Sequence, residues 1–196
     1  MTEFVLATNN QHKVLEMRAI LENGHRRVLS MKEAGFHTDP EENGTTFEEN
    51  ALIKARAACA ASGRPALADD SGICVTALGD APGVHSARYC EGSDRDRLFF
   101  LLKNMENVPE GQRHAYYVSA IACVFPDGRE IIVRGECHGE VTFGPDGENG
   151  FGYDPIFFVT EEGKTFGHIS AERKNQISHR ARALQKLLEE LNRIGE

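Results

Sequence analysis

The chain predicts an α/β fold with a mixed sheet flanked by helices. Three observations carry this: a strand–loop–helix opening, a second capped helix that feeds a strand, and a hairpin further on. Its 196 residues fit one domain spanning 1–196, and no internal repeat, low-complexity tract or linker divides them.

The opening strand is Phe4-Val-Leu-Ala7, an apolar run that ends in Thr8-Asn9-Asn10. A helix follows from about His12 to Glu22, with Val14, Leu15, Met17, Ile20 and Leu21 at helical spacing. The next helix starts at Thr45-Thr46, each followed three residues later by Glu, the capping-box pattern. It runs through NALIKARAACAA and stops at Gly63. Pro65 to Ala68 reads as a short strand into an acidic turn, Asp69-Asp70-Ser71-Gly72, with Ile73 to Leu78 extended beyond it. Tyr116 to Phe125 is rich in β-formers and ends in the turn Pro126-Asp127-Gly128, with Glu130 to Val141 as its hairpin partner. Gly150 to Pro155 is a glycine-rich loop before the strand Ile156 to Val159. A C-terminal helix carries Ile177, Ala181, Leu184, Leu188 and Leu191 on one face, a stripe suited to core packing.

Composition narrows the function classes. A formal net charge of −8 disfavours gripping a nucleic-acid backbone. A small polyanion remains possible where a divalent metal or a local cluster of Lys and Arg offsets the repulsion. No apolar run reaches the length of a membrane span, and MTEFVLATNN does not read as a signal peptide, so a cytoplasmic location is expected. The five cysteines are odd in number and form no C-x-x-C pair, which argues against a disulfide framework or structural zinc.

Six groups of residues can carry chemistry. Thr8, Asn9, Asn10, Gln11, His12 and Lys13 lie where a strand meets a helix start, a natural anion site, although the Walker glycines are missing and a capped polar turn reads equally well. Asp69 and Asp70 repel each other unless a cation compensates; with Ser71 they suit magnesium and phosphate, or else form a surface turn. Glu41 and Glu42 precede a helix start and fit dipole partners as well as ligands. Lys54 is the lone base in the first part of an Ala-rich helix. In Phe151-Gly152-Tyr153-Asp154 an aromatic ring can stack on a base and a carboxylate can accept from base or ribose. Lys174, His179 and Arg180 can reach phosphate or a base carbonyl. Together these supply an anion loop, an acid pair, several bases and an aromatic loop.

The blocks LATNNQHKVLEMRAIL, TFEENALIKARAAC, ALADDSGICVTALGDAPGVHSARY, GFGYDPIFFV and ERKNQISHRARAL occur in order over nearly the whole chain. In them the chain resembles the inosine triphosphate pyrophosphatase (ITPase) family, of the bacterial dITP/XTP type. The resemblance implies an elongated mixed sheet in two lobes with a substrate cleft. It implies Mg²⁺-dependent hydrolysis of dITP, ITP and XTP to monophosphate and pyrophosphate, by a homodimer. By position, Thr8 to Lys13 would contact the triphosphate. Asp70 would accept a proton and bind magnesium with Glu42, while Ser71 would bind substrate. Lys54 and Asp69 would support the centre. Phe151 to Asp154 would hold the nucleoside, and Lys174, His179 and Arg180 would complete recognition. Two other readings stand beside this one: a pyrophosphatase for other modified or pyrimidine nucleotides, and a nucleotide sensor without turnover. A dinucleotide oxidoreductase fits poorly, since no G-x-G-x-x-G follows the first strand.

Overall fold

The computed structural model describes residues 1–22 and 24–196. One eight-stranded sheet has the order β2-β1-β3-β5-β6-β7-β8, with β4 paired to β3. The strands are β1 (Thr2–Leu6), β2 (Arg26–Ser30), β3 (Ala66–Val75), β4 (Ala81–Pro82), β5 (His114–Val124), β6 (Glu130–Val141), β7 (Phe157–Val159) and β8 (Lys164–Thr165). The helices are α1 (Gln11–Leu21), α2 (Phe47–Ser62), α3 (Asp94–Asn104), α4 (Ala171–Ile177) and α5 (His179–Arg193). β1 runs parallel to β2 and β3, whereas β7 is antiparallel to β6 and β8, so the sheet is mixed as expected.

Contacts group the residues into two compact units. The first holds Met1–Asp70, Ser119–Gly135 and Arg180–Glu196. Its core joins Phe4 and Leu6 of β1, Val14, Met17 and Leu21 of α1, Leu67, Ile121, and Leu184, Leu187 and Leu191 of α5. The second holds Ser71–Val118 and Glu136–His179, around Ile73, Leu101, Tyr117, Ile156, Phe157 and Phe166.

Local chemistry explains the helix ends. Asn10 caps α1, its side chain accepting from the His12 and Lys13 N–H groups. Thr46 and Glu49 form the capping box of α2, and Gly63 closes it at φ 64°, where a β-carbon would be strained. Three expectations need correction. Asp69-Asp70-Ser71-Gly72 is not a turn but the middle of β3, and residues 76–78, expected to be extended, form a 3₁₀ turn. The extended form survives there because buried cations and hydroxyls neutralise the acids, as shown below. The C-terminal helix breaks at Ser178, so Ile177 packs in the second core and Leu187, rather than Leu188, is fully buried in the first. Helix α3 and strand β2 had no counterpart in the sequence reading.

Candidate active site

In the first unit the middle of β3 delivers two carboxylates to a group of cations. Asp69 is fully buried. Lys13 Nζ lies 2.7 Å from its Oδ2, Arg180 Nη2 lies 3.2 Å from the same oxygen, and the Ser119 hydroxyl donates to Oδ1 at 2.5 Å. Arg180, itself buried, also pairs with Glu16 of α1. Burial alone would raise the Asp69 carboxyl, but the charges of Arg180 and Lys13 hold it well below the usual carboxylate range. Burial chiefly lowers the Lys13 ammonium, against the pull of Asp69. Arg180 shows the reverse: Asp69 and Glu16 more than offset its burial and keep it charged. The charged form of Asp69 is thus favoured, and it pairs with two cations.

Asp70 points to a different set. Lys54 Nζ donates to its Oδ1 at 2.9 Å, and the Asn50 amide lies 3.4 Å from Oδ2. Asn50 and Lys54 are four residues apart on α2 and so share a face. Lys54 also lies 3.5 Å from Glu42, and it meets the Asp69 carbonyl at 3.1 Å. Burial pushes the Asp70 carboxyl up; Lys54 opposes this and Glu42 adds to it. Two neighbouring acids thus acquire opposite tendencies, one fixed as an anion and one made more basic. A divalent cation fits this donor set. Asp70 and Glu42 both approach one ammonium, and magnesium typically takes one or two carboxylates besides substrate phosphates.

Thr8 and Asn10 shape the loop before α1: the Thr8 hydroxyl accepts from the Asn10 N–H at 3.1 Å. Asn9, Gln11 and His12 are exposed at the same helix start. The capped polar turn is present, and the cap that orders the loop also aims Lys13 at Asp69.

The second unit holds the aromatic loop. Asp154 is buried, and accepts from Lys174 Nζ at 2.6 Å, the Phe151 N–H at 2.9 Å and the Tyr117 hydroxyl at 3.3 Å. Its carboxylate thereby ties the loop to α4 and β5. Lys174 Nζ sits 4.6 Å from the centre of the Phe151 ring. Tyr117 stacks on His179 at 4.6 Å, with the rings 9° from parallel. Tyr153 is buried and donates to the Ser86 carbonyl at 2.7 Å, while Gly152 adopts φ 62°. Gly150 is required sterically: a β-carbon there would lie 2.0 Å from Asp154 Oδ2. Ser71 is half-buried, and its neighbour Gly72 leaves room for the Ser86 hydroxyl, which accepts from the Ile73 N–H at 2.9 Å.

The structure thus brings Lys13, Lys54, Asp69, Asp70, Glu42 and Arg180 together in the first unit, and Phe151, Asp154, Lys174 and His179 in the second. Glu41 is exposed. Sequence reasoning missed Asn50, Ser119, Glu16, Ser86 and Tyr117. Only Asn50 carried a signal, a polar residue four positions before Lys54 on an otherwise apolar helix face.

Comparisons with known proteins bear on the family and the fold. The model of the Ham1 family matches residues 4–190. A dITP/XTP pyrophosphatase of Symbiobacterium thermophilum is 53% identical, over 98% of this chain and 96% of its own. The dITP/XTP pyrophosphatase of Geobacillus kaustophilus is 44% identical, over 99% and 96%. Among solved structures, a HAM1 protein from Coxiella burnetii matches with a TM-score of 0.89 and 40% identity, covering 98% of this chain and 100% of its own. With its fold, its sequence blocks and nearly its full length shared with these proteins, the chain belongs to the Ham1 family.

Proposed function

We propose that this protein hydrolyses deaminated purine nucleoside triphosphates (dITP, ITP, XTP and dXTP) between the α and β phosphates. The products are a nucleoside monophosphate and pyrophosphate, and the effect is to clear these nucleotides from the cytoplasmic pool. The carrying observation is the division of labour on β3: Asp69 is saturated by cations, whereas Asp70 is more basic than usual and faces Lys54 and Glu42. The names of the relatives, dITP/XTP pyrophosphatase, support the substrate class.

Phosphoryl transfer requires charge neutralisation and an aligned nucleophile more than covalent chemistry. Asp70 orients a water for attack on the α-phosphorus and accepts its proton at the carboxylate. Lys13 and Lys54 bind phosphate oxygens and stabilise the charge that develops on the leaving pyrophosphate. Asp69 and Glu16 hold Lys13 and Arg180 in place before substrate arrives. We assign Mg²⁺ to Asp70 and Glu42; when bound, it neutralises charge on the phosphate oxygens. Thr8 to His12 and Ser71 add hydrogen bonds to the triphosphate. Phe151 stacks on the base, Gly152 lets the backbone approach, and Tyr153 and Asp154 keep the loop in shape.

Base choice follows from hydrogen bonding. Hypoxanthine and xanthine carry an acceptor at position six, where adenine carries a donor. The donors Lys174 and His179 would be left facing an adenine amino group, a mismatch that such sites reject strongly. The test is incubation with dITP, XTP, dATP and dGTP plus Mg²⁺, assaying pyrophosphate separately from orthophosphate. Pyrophosphate from dITP and XTP, with little from dATP, is expected. Equal rates on dATP would overturn the substrate class, and orthophosphate as the first product would overturn the cleavage site.

A further inference from the structure

A second concentration of donors lies in the second unit, on the opposite side of β5 from the aromatic loop. His114 and Tyr116 are two residues apart on β5 and share a face; Glu136 and His138 do so on β6. Tyr117, which stacks on His179, points the other way. Both histidines are exposed. His138 Nδ1 and His114 Nε2 are 3.4 Å apart, and Tyr116 flanks the pair, its ring 5.3 Å from that of His138.

The partner of the outer nitrogen bears on the state of the inner one. His138 Nε2 lies 3.1 Å from Glu136 Oε2. An ionised carboxylate only accepts, so Nε2 carries the proton and the neutral ring presents its Nδ1 lone pair to His114. His114 Nδ1 lies 2.9 Å from the Thr76 hydroxyl, which both donates and accepts; in the tautomer that donates there, His114 presents its Nε2 lone pair in return. Two lone pairs then face each other at a separation longer than the usual hydrogen-bond range of about 2.7–3.2 Å. The same separation fits a shared cation. With metal–imidazole bonds of about 2.0–2.1 Å, the edge of a coordination tetrahedron is about 3.3–3.4 Å. Both rings are exposed, and rotation about the broad χ2 torsion is the movement that turns both nitrogens toward one ion.

We propose that His114 and His138 form a surface site for a borderline divalent transition cation such as Zn²⁺, Cu²⁺ or Ni²⁺, oriented by Glu136 and Thr76. Imidazole nitrogens select such ions over Mg²⁺ and Ca²⁺, which prefer oxygen. A carboxylate on the outer histidine nitrogen is the usual second partner of a metal-bound imidazole. Among the described residues no third His, Cys, Asp or Glu joins such a group, so water completes the coordination. Bound there, the ion clamps β5 to β6. It is separate from the Asp70 centre in both residues and ligand chemistry.

The test titrates Zn²⁺ calorimetrically into the wild type and into His114→Gln, His138→Gln, Glu136→Ala and the double histidine variant. Excess Mg²⁺ keeps the oxygen donors of Asp70 and Glu42 occupied. In parallel, Cu²⁺ is added for electron paramagnetic resonance. One Zn²⁺ per chain is expected, with affinity falling at least about tenfold in each histidine variant and about 10–100-fold in Glu136→Ala. The Cu²⁺ spectrum should show two imidazole nitrogens, and dITP turnover should be unchanged throughout. No Zn²⁺ binding by the wild type, equal binding by the double variant, or a Cu²⁺ spectrum without two nitrogens would each overturn the site.

Discussion

Replacing Asp69 by Asn keeps the shape of the side chain and removes one buried negative charge. Asn can still accept from Ser119, so the loss is chiefly electrostatic. Lys13 and Arg180 lie 2.7 and 3.2 Å from Asp69 Oδ2. At an effective dielectric of about 20, these distances correspond to gross attractions of about 6 and 5 kcal/mol. Most of that offsets the desolvation of the ions, and breaking such a buried pair leaves a net loss of about 3–5 kcal/mol. Because Arg180 keeps Glu16, the lower end applies. For a chain of this size, about 3 kcal/mol lowers Tm by about 6–12 °C. Urea unfolding monitored by circular dichroism gives the free energy directly. The pH dependence has a definite sign. Asp69 has a depressed carboxyl, so its contribution is complete above the unfolded value of about 3.9 and disappears as pH falls through the folded value. The wild type and Asp69→Asn should therefore differ most near neutral pH and converge in strong acid. Stabilities within about 1 kcal/mol at pH 7 would refute the view of Asp69 as the counterion of Lys13 and Arg180.

Other outcomes follow from the same geometry. Asp70→Asn should lower kcat by about 10²–10⁴-fold. Its Tm should stay close to that of the wild type, since burial already disfavours the charged form of Asp70. Gly150→Ala places a β-carbon against Asp154 at a backbone φ of 76°, and should raise KM for dITP while costing about 1–3 kcal/mol of stability. Chelation with EDTA should abolish turnover, and Mg²⁺ should restore it. The homodimer implied by the family resemblance is checked separately by light scattering after gel filtration; a monomer that is fully active would refute that assembly.

The regular elements were legible wherever periodicity and caps agreed, as in α2 from Thr46 to Gly63 and the hairpin turning at Gly128. They were illegible where tertiary partners decide. Adjacent acids at 69 and 70 read as a turn because a single sequence does not show Lys13, Lys54 and Arg180 arriving from three other segments. The break at Ser178 was hidden for a related reason: the apolar stripe continues through it, while its two halves serve different cores. At the site, residue types marked the acids and bases, but their ranking needed distances. Ser119 and Glu16 look like ordinary polar residues until their contacts with Asp69 and Arg180 are seen.

The most direct test of Asp70-assisted attack on the α-phosphorus is hydrolysis of dITP in ¹⁸O-labelled water, with both products analysed by mass spectrometry. The label is expected in the nucleoside monophosphate, with pyrophosphate unlabelled and the reaction lost in Asp70→Asn. Label in pyrophosphate would place the attack on the β-phosphorus and contradict the role given to Asp70.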